Sequence, residues 1–351
     1  MGFKRFDPQD FVVSADTVTS TVWSNNSVSL NTYATSSTQR EGSSGPYYLN
    51  IYQTASALPE AAVQFGIAYG NDTGGGSLLF DPSVSGKSPS RTSYGQYRTL
   101  VLEDENSQFV YGSTFSGSQF LALSVERARY KEKLFPSSFD LVLSSSNPNL
   151  TELSLTDNSK LQTIPTYYGT MRAYQVISGS GGTSYDGGIG YTEVSGSYGL
   201  FLPDISTVLL NVAALVDKTS IGVGLNIVSA SNNNANSAGN SNATELYNHI
   251  SGSSGDVDGN IFKLNSQETI TSDFVFVRAR NAEFNYSENP SFISGSTGEV
   301  IYSYFIDNPQ TYATTVGMYN DSNELLAVAK LSKPLLKDFT KEALVRVKLD
   351  F

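Results

Sequence analysis

The last nine residues carry the pattern that constrains the fold most. Ala343, Val345, Val347, Leu349 and Phe351 alternate with Leu344, Arg346, Lys348 and Asp350. Period two puts the two sets on opposite faces of an extended chain, which predicts a half-buried strand. Because the pattern runs to the last residue, the C-terminus is expected within a sheet. Just upstream, residues 315–319 and 324–331 flank Asn320-Asp321-Ser322-Asn323, which predicts a hairpin with a four-residue polar loop. Pro334 is expected to stop the second arm, since proline has no N–H to give a central ladder.

Similar runs recur along the chain. Residues 47–52, 120–125, 139–143, 208–212, 274–277 and 300–306 read as strands. So do residues 64–69, with Phe65, Ile67 and Tyr69 on one face. Clusters such as Asn71-Asp72-Thr73-Gly74-Gly75-Gly76 break the chain between runs. Only 16% of residues are charged, yet 21 Tyr and 19 Phe argue against disorder, because disordered chains lack the aromatics that offset ordering entropy. The expected class is all-β, mainly antiparallel sandwich- or barrel-like modules with few short helices. Residues 243–250 could form two helical turns, capped by Asn242 and ended by Gly252, and residues 58–63 give a weaker helix signal. Residues 1–146 are read as an N-terminal β domain. Residues 147–265 are read as a looser, loop-rich insertion, holding the glycine-rich stretch 179–190 and the Ser/Asn-rich stretch 229–242. Residues 266–351 are read as a C-terminal β domain ending in the hairpin and the terminal strand.

Several function classes are disfavoured. No apolar run approaches the ~20 residues that span a bilayer, and the opening residues lack the apolar core of a secretory signal. With no cysteine, disulfides and thiolate metal sites are excluded. A net charge of −11 speaks against sequence-independent nucleic-acid binding, which needs Lys and Arg to neutralise phosphates. His249 is the only histidine, so no Ser-His-Asp triad exists without it; it is read as an exposed helix residue. Gly86-Lys87-Ser88 fails as a phosphate loop, because Asp81 stands where glycine is needed and Pro89 stands where a helix should begin. Asp256-Val257-Asp258-Gly259-Asn260 fails as a calcium loop: its glycine comes fourth, and Gln267 holds the twelfth position, with Glu268 one late. Glu103-Asp104-Glu105 is the densest acidic run, and such runs are usually solvated faces. No catalytic, cofactor-binding or metal-binding residue is assigned, and no cofactor is expected.

Contact surfaces are easier to nominate. Arg127, Arg129, Lys131 and Lys133 share one parity. If the strand from Leu121 continues through them, all four cations line one face and suit an acidic neighbour. The alternative is a short surface helix with internal Glu–Lys pairs. Residues 330–351 are also locally basic. The candidate protein-contact residues are these four cations, Phe284 and Tyr286 in the segment FNYSENPSF, and Arg346 and Lys348 in the terminal strand.

Several stretches carry a family likeness: FLALSVERARYKEKLFPSSFDLVL (120–143), YGLFLPDISTVLLN (198–211), FVRARNAEFNYSENPSF (276–292), the C-terminal TTVGMYNDSNELLAVAKLSKPLLKDFTKEALVRVKLDF, and the opening FKRFDPQDFVVSADTVTSTVW. Together they resemble virion structural proteins of contractile-tailed phages, especially the large myophages of marine cyanobacteria. The likeness spans most of the chain and is least in its glycine- and asparagine-rich middle. It implies a non-enzymatic component of the tail, baseplate or neck, assembled in the host cytoplasm. Its partners would be other phage structural proteins and copies of itself. Two alternatives are a fibre-tip module that binds a receptor or host-surface glycan, and a glycan-degrading tailspike-type enzyme.

Overall fold

A computed structural model describes residues 4–35, 48–76, 88–162, 164–185, 189–191, 195–218, 222–229 and 242–350. Tyr47, Asp81, Gly86, Lys87, Phe351 and most of the 229–242 stretch therefore lie outside the described residues. The chain is mostly β, with 43% strand and 14% helix, which places it in the expected class. Four α-helices occur among the described residues. Two compact units form: unit 1 comprises Met1–Thr17 and Thr269–Phe351, and unit 2 comprises Val18–Glu268. The divisions fall inside the strands Phe11–Thr21 and Asn265–Ala279.

Unit 2 is built on a large sheet whose main path runs through eleven strands, all antiparallel. It begins with Ser29–Leu30, Phe262–Lys263, Asp140–Ser144, Glu152–Asp157 and Met171–Ser180. It continues through Gly199–Leu202, Thr207–Asn211, Gln119–Val125, Val63–Asn71, Tyr48–Tyr52 and Ala34–Thr35. The first and last strands are joined by residues 31–33 alone. Laid flat, eleven strands would span roughly 48 Å, whereas that link reaches at most ~14 Å. The sheet accordingly curls into a half-barrel.

Its central strands are buried on both faces, and the period-two rule sorts their side chains into two cores. Leu121, Leu123, Val208 and Leu210 join Trp23, Phe65, Phe139, Phe262 and the helix Asn242–Ser251 on one face. Phe120, Ala122, Leu200 and Leu209 join Tyr94 and Val101 of the helix Pro89–Leu102 on the other. Strands buried on both sides read as continuous apolar runs. The residues expected to form a loose insertion at 147–265 supply four strands to the middle of this sheet. Part of the glycine-rich stretch there is a tight hairpin. Ser180 pairs with Thr183 across Gly181 and Gly182, both at positive φ (57° and 79°), as a two-residue turn matched to strand twist requires.

Three further expectations change in unit 2. The Asn242–Ser251 helix forms, but residues 58–63 make turns leading into a strand. The Pro89–Leu102 helix carries no strong periodic signal, yet it is well begun. Ser88 Oγ accepts from the Arg91 N–H at 3.3 Å, and Pro89 sits in the first turn, where no intrahelical N–H is needed. Proline there starts a helix rather than forbidding one. His249 is buried, not exposed. Its Nδ1 lies 2.6 Å from the Ser144 carbonyl and its Nε2 3.6 Å from Glu245. Burial alone would lower its pKa, but the contacts to Glu245 and Ser144 outweigh it and raise the pKa above 6.5.

Unit 1 contains a sheet in the order Phe11–Thr21, Asn265–Ala279, Ala343–Asp350. The predicted terminal strand forms with its predicted faces: Val345, Val347 and Leu349 point inward, while Leu344, Arg346, Lys348 and Asp350 are exposed. Val347 pairs with Val275, and both pack on Met318 of the predicted hairpin. That hairpin joins Gln310–Tyr319 to Leu325–Asp338, with a turn one residue longer than expected. Its turn closes on Asn320 Oδ1, which accepts from the N–H groups of Ser322 (3.0 Å) and Glu324 (2.8 Å). Pro334 does not end the second arm. The register jumps between Ala313↔Leu335 and Thr315↔Lys330, so Pro334 falls in a bulge where no ladder donor is required. Residues 300–306 are not a strand; apart from one bridge between Ile293 and Val300, they lead into the helical turn Tyr304–Asp307.

Candidate functional site

Apolar residues are partitioned unevenly between the units. Among the described residues, forty-six buried hydrophobic side chains belong to unit 2 and four to unit 1: Val275, Phe292, Met318 and Val347. Of twenty-eight large hydrophobics left exposed, seventeen belong to unit 1, though it holds only a hundred residues. An excess of exposed apolar side chains over buried ones is what an interaction surface displays.

Three parts of unit 1 present this surface. The first is a turn at residues 280–286, which displays Phe284 and Tyr286 at 43% and 62% exposure. It is rigidly braced. Lys337 is buried and directs its ammonium to Asn281 O, Asn285 Oδ1 and Asp338 O, each at 2.9 Å. Thr311 Oγ1 donates to Phe284 O at 2.6 Å. Glu283 accepts from the Arg280 N–H at 2.8 Å and pairs with Lys4 at 3.0 Å, and these contacts lower its pKa. Phe284 is held at φ +55°, a conformation that costs free energy for a bulky residue and persists only when its surroundings fix it. A braced aromatic loses little side-chain freedom on binding, which favours affinity.

The second part is a group of rings. Phe292 and Phe305 stack at 4.5 Å, Tyr304 lies 4.5 Å from Phe305, and Tyr302 stacks on Tyr304 at 5.5 Å. Only Phe292 is buried; Tyr302 and Tyr304 remain half open to solvent. The third part is the hairpin. Val316, Met318, Ala327 and Ala329 face the small core, whereas Leu326 and Val328 point away from it at 68% and 59% exposure. Asp321 and Glu324 at its turn put negative charge beside the apolar residues, which suits a protein partner better than an anionic lipid surface.

Comparison with known protein families, curated proteins and solved structures found no match. The reading of the surface therefore rests on its own chemistry.

The predicted contact residues fall in different places. Arg346 and Lys348 lie on the exposed face of the terminal strand, opposite Phe276 and Phe274, and both cations approach the Phe274 ring (5.4 and 6.0 Å). Lys348 also pairs with Asp350 at 2.9 Å. The basic ladder does not form. Gln119–Val125 ends at Val125, and Arg127–Arg129 is a single 3-10 turn. Arg127 donates to Tyr130 O at 2.9 Å and stacks over that ring, while Lys133 pairs with Glu132 at 3.1 Å. The last bond to the neighbouring strand is Glu126 N–H to Gln64 O, and the 3-10 turn that follows breaks the period-two alternation that the four cations needed. What remains is nearer the alternative of a short surface helix with internal Glu–Lys pairs, reduced to one 3-10 turn and the single pair Lys133–Glu132.

Two of the runs set aside in the sequence are closed by their own local hydrogen bonds, while Gly86 and Lys87 lie outside the described residues. Asp256 accepts from the N–H groups of Asp258 and Asn260 and pairs with Lys263, so its carboxylate is already occupied. Asp104 accepts from the Asn106 N–H at 2.9 Å and from Ser107 Oγ. No group of three or more His, Asp or Glu that could hold a metal ion occurs among the described residues, and no helix there is long and apolar enough to cross a membrane.

The exposed residues Phe11, Val12, Val13, Leu325, Leu326 and Val328 escaped the sequence reading. A signal was present: Phe11-Val12-Val13 and Leu325-Leu326-Ala327-Val328 are apolar at both parities. A strand apolar on both sides needs cover on both sides, and unit 1 covers only one side of the hairpin.

Proposed function

We propose that this chain is a non-enzymatic structural subunit of a tailed-phage virion, in the tail, baseplate or neck, and that unit 1 makes its protein–protein contacts. The observation that carries this reading is the inversion of unit 1, with seventeen exposed large hydrophobics around four buried ones. Aromatic anchors on braced backbone, ringed by polar and charged groups, are the composition of an interface core and rim. The resemblance to virion structural proteins supplies the setting. Unit 2, by contrast, holds two well-buried cores. The test is mass spectrometry of purified particles, followed by cryo-electron microscopy with the chain traced in the map. Density for unit 1 against neighbouring subunits is expected; absence of the chain from the particle, or turnover of a substrate by the purified chain, overturns the proposal.

A second reading draws on the exposed Tyr302 and Tyr304 rings, since tyrosine pairs a flat apolar face with a polar tip. In that reading the chain is a fibre-tip module that binds a host-surface glycan. Glycan-array binding that is lost in Tyr302→Ala and Tyr304→Ala favours it over the first.

A further inference from the structure

Resting on the structural role proposed above, we infer that copies of this chain join head to tail through the unit 1 sheet. The strand at residues 11–17 of one copy pairs with the strand Ala343–Asp350 of the next. Among the described residues, each of these outer strands pairs on one side only, because Asn265–Ala279 lies between them. Among the described residues no further strand pairs with the outer side of either, so both are edge strands. Natural sheets guard such edges with lysine, proline, a bulge or a covering loop. Residues 11–17, Phe-Val-Val-Ser-Ala-Asp-Thr, contain neither lysine nor proline, and every one except Ser14 is exposed. Phe11, Val12 and Val13 stand 49%, 48% and 68% open to solvent on an edge strand.

Charge selects the partner edge. Asp16 is the only charged side chain in residues 11–17. The opposite edge strand carries Arg346 and Lys348 on one exposed face, two residues apart, against the single Asp350. Two copies of the N-terminal edge would bring Asp16 groups together, and two copies of the C-terminal edge would bring the cations together. Pairing unlike edges joins opposite charges, and like charges across an interface are strongly disfavoured. The contact is heterologous, so repetition closes a ring or extends a filament, according to the rotation between copies.

A charge swap tests the inference on the full chain. Asp16→Lys alone, or Arg346→Glu with Lys348→Glu alone, is expected to raise the apparent dissociation constant for self-assembly by about tenfold or more. The chain carrying all three changes presents lysine to glutamates across the same contact and is expected to recover assembly. Circular dichroism verifies that each variant is folded; all three side chains are exposed or on an outer face. Since the natural chain has no cysteine, a second measurement is direct. A bifunctional maleimide should link Ala15→Cys to Leu344→Cys when the two variants are mixed, and should link neither variant to itself.

A wild-type chain that stays monomeric, single-site variants that assemble like wild type, a folded triple variant that fails to recover, or crosslinks between like edges would each overturn the inference. Failure here is separable from failure of the structural role. A chain that is monomeric alone but present in the particle overturns the edge pairing and leaves the role standing. A chain that assembles by this contact but is absent from particles overturns the role and leaves the pairing standing.

Discussion

The two units use their aromatic residues in opposite ways. In unit 2, Trp23, Phe65, Phe139 and Phe262 meet edge to face or tilted at 4.8–6.1 Å, and Trp23 Nε1 donates to the Phe262 carbonyl at 3.1 Å. All four rings are shut away from water. In unit 1, Tyr302, Tyr304, Tyr286 and Phe284 are bound to neighbouring side chains or backbone yet remain exposed. One chain thus contains rings that hold a core together and rings that are displayed. Single exposed rings occur in unit 2 as well, at Tyr48, Tyr167 and Tyr185; what sets unit 1 apart is how few of its apolar side chains are buried beside them. Gly70 shows how closely unit 2 is fitted: a Cβ there would stand 2.5 Å from the Phe120 ring. Unit 1 has no comparable packing around Leu326 or Val328.

Four measurements break or sharpen this contrast. The largest effect is expected for Phe262→Ala, which removes the ring touching Trp23, Phe65 and Phe139. It should cost about 3–5 kcal/mol in urea unfolding, and a loss below ~1 kcal/mol would mean that unit 2 is not the close-packed body described. Next comes Lys337→Met in unit 1. It strands three acceptors at 2.9 Å, on Asn281, Asn285 and Asp338. A loss of roughly 1–3 kcal/mol is expected, together with faster amide exchange across residues 280–286. An unchanged exchange pattern would remove the argument that Phe284 is braced.

The third is a pH effect confined to unit 2, which holds the only histidine. The folded pKa of His249 lies above the unfolded value of about 6.5. Its stabilisation is therefore complete below pH ~6.5 and is lost as pH rises through the folded pKa. His249→Gln should flatten the stability of unit 2 across that window and leave unit 1 amide exchange unaltered. The smallest effect is for Leu326→Ser, whose side chain stands 68% exposed. The isolated chain should change by no more than ~0.5 kcal/mol, while incorporation into particles should fall. A large stability loss in the isolated chain would place Leu326 in a core and erase the contrast.

Local pattern was legible wherever one face of a strand is buried and the other wet. The 343–350 strand keeps both predicted faces; Phe65, Ile67 and Tyr69 share one buried face as read, although their strand is covered on the other side too. The helix at 242–251 stops before Gly252 as read, but Asn242 lies inside it, and its side chain bonds Val228 and Gly76 rather than capping the helix. Legibility was uneven where periodicity carries no information: the apolar runs at 120–125 and 208–212 were read as strands, but others were not. The strands at 152–157, 171–180 and 199–202 are buried on both faces, so no alternation marks them, and glycine turns between them imitate loose loops. The run at 300–306 looked like a strand because it is apolar and aromatic, but no neighbouring strand pairs along it. The candidate contact residues divide by position. Phe284, Tyr286, Arg346 and Lys348 stand exposed in unit 1, whereas the four-cation ladder needed a strand that ends at Val125.

By itself, the sequence determined the β class, the terminal strand with its two faces, and the hairpin, because period, turn chemistry and capping act between residues close along the chain. Only the tertiary structure decided that strands from residue 29 to residue 263 share one curled sheet, and that the apolar residues at 11–13 and 325–328 are left uncovered. The physical reason is that a strand's neighbours are chosen by pairings distant in sequence. Whether an apolar side chain is core or contact surface depends on whether such a neighbour arrives to cover it.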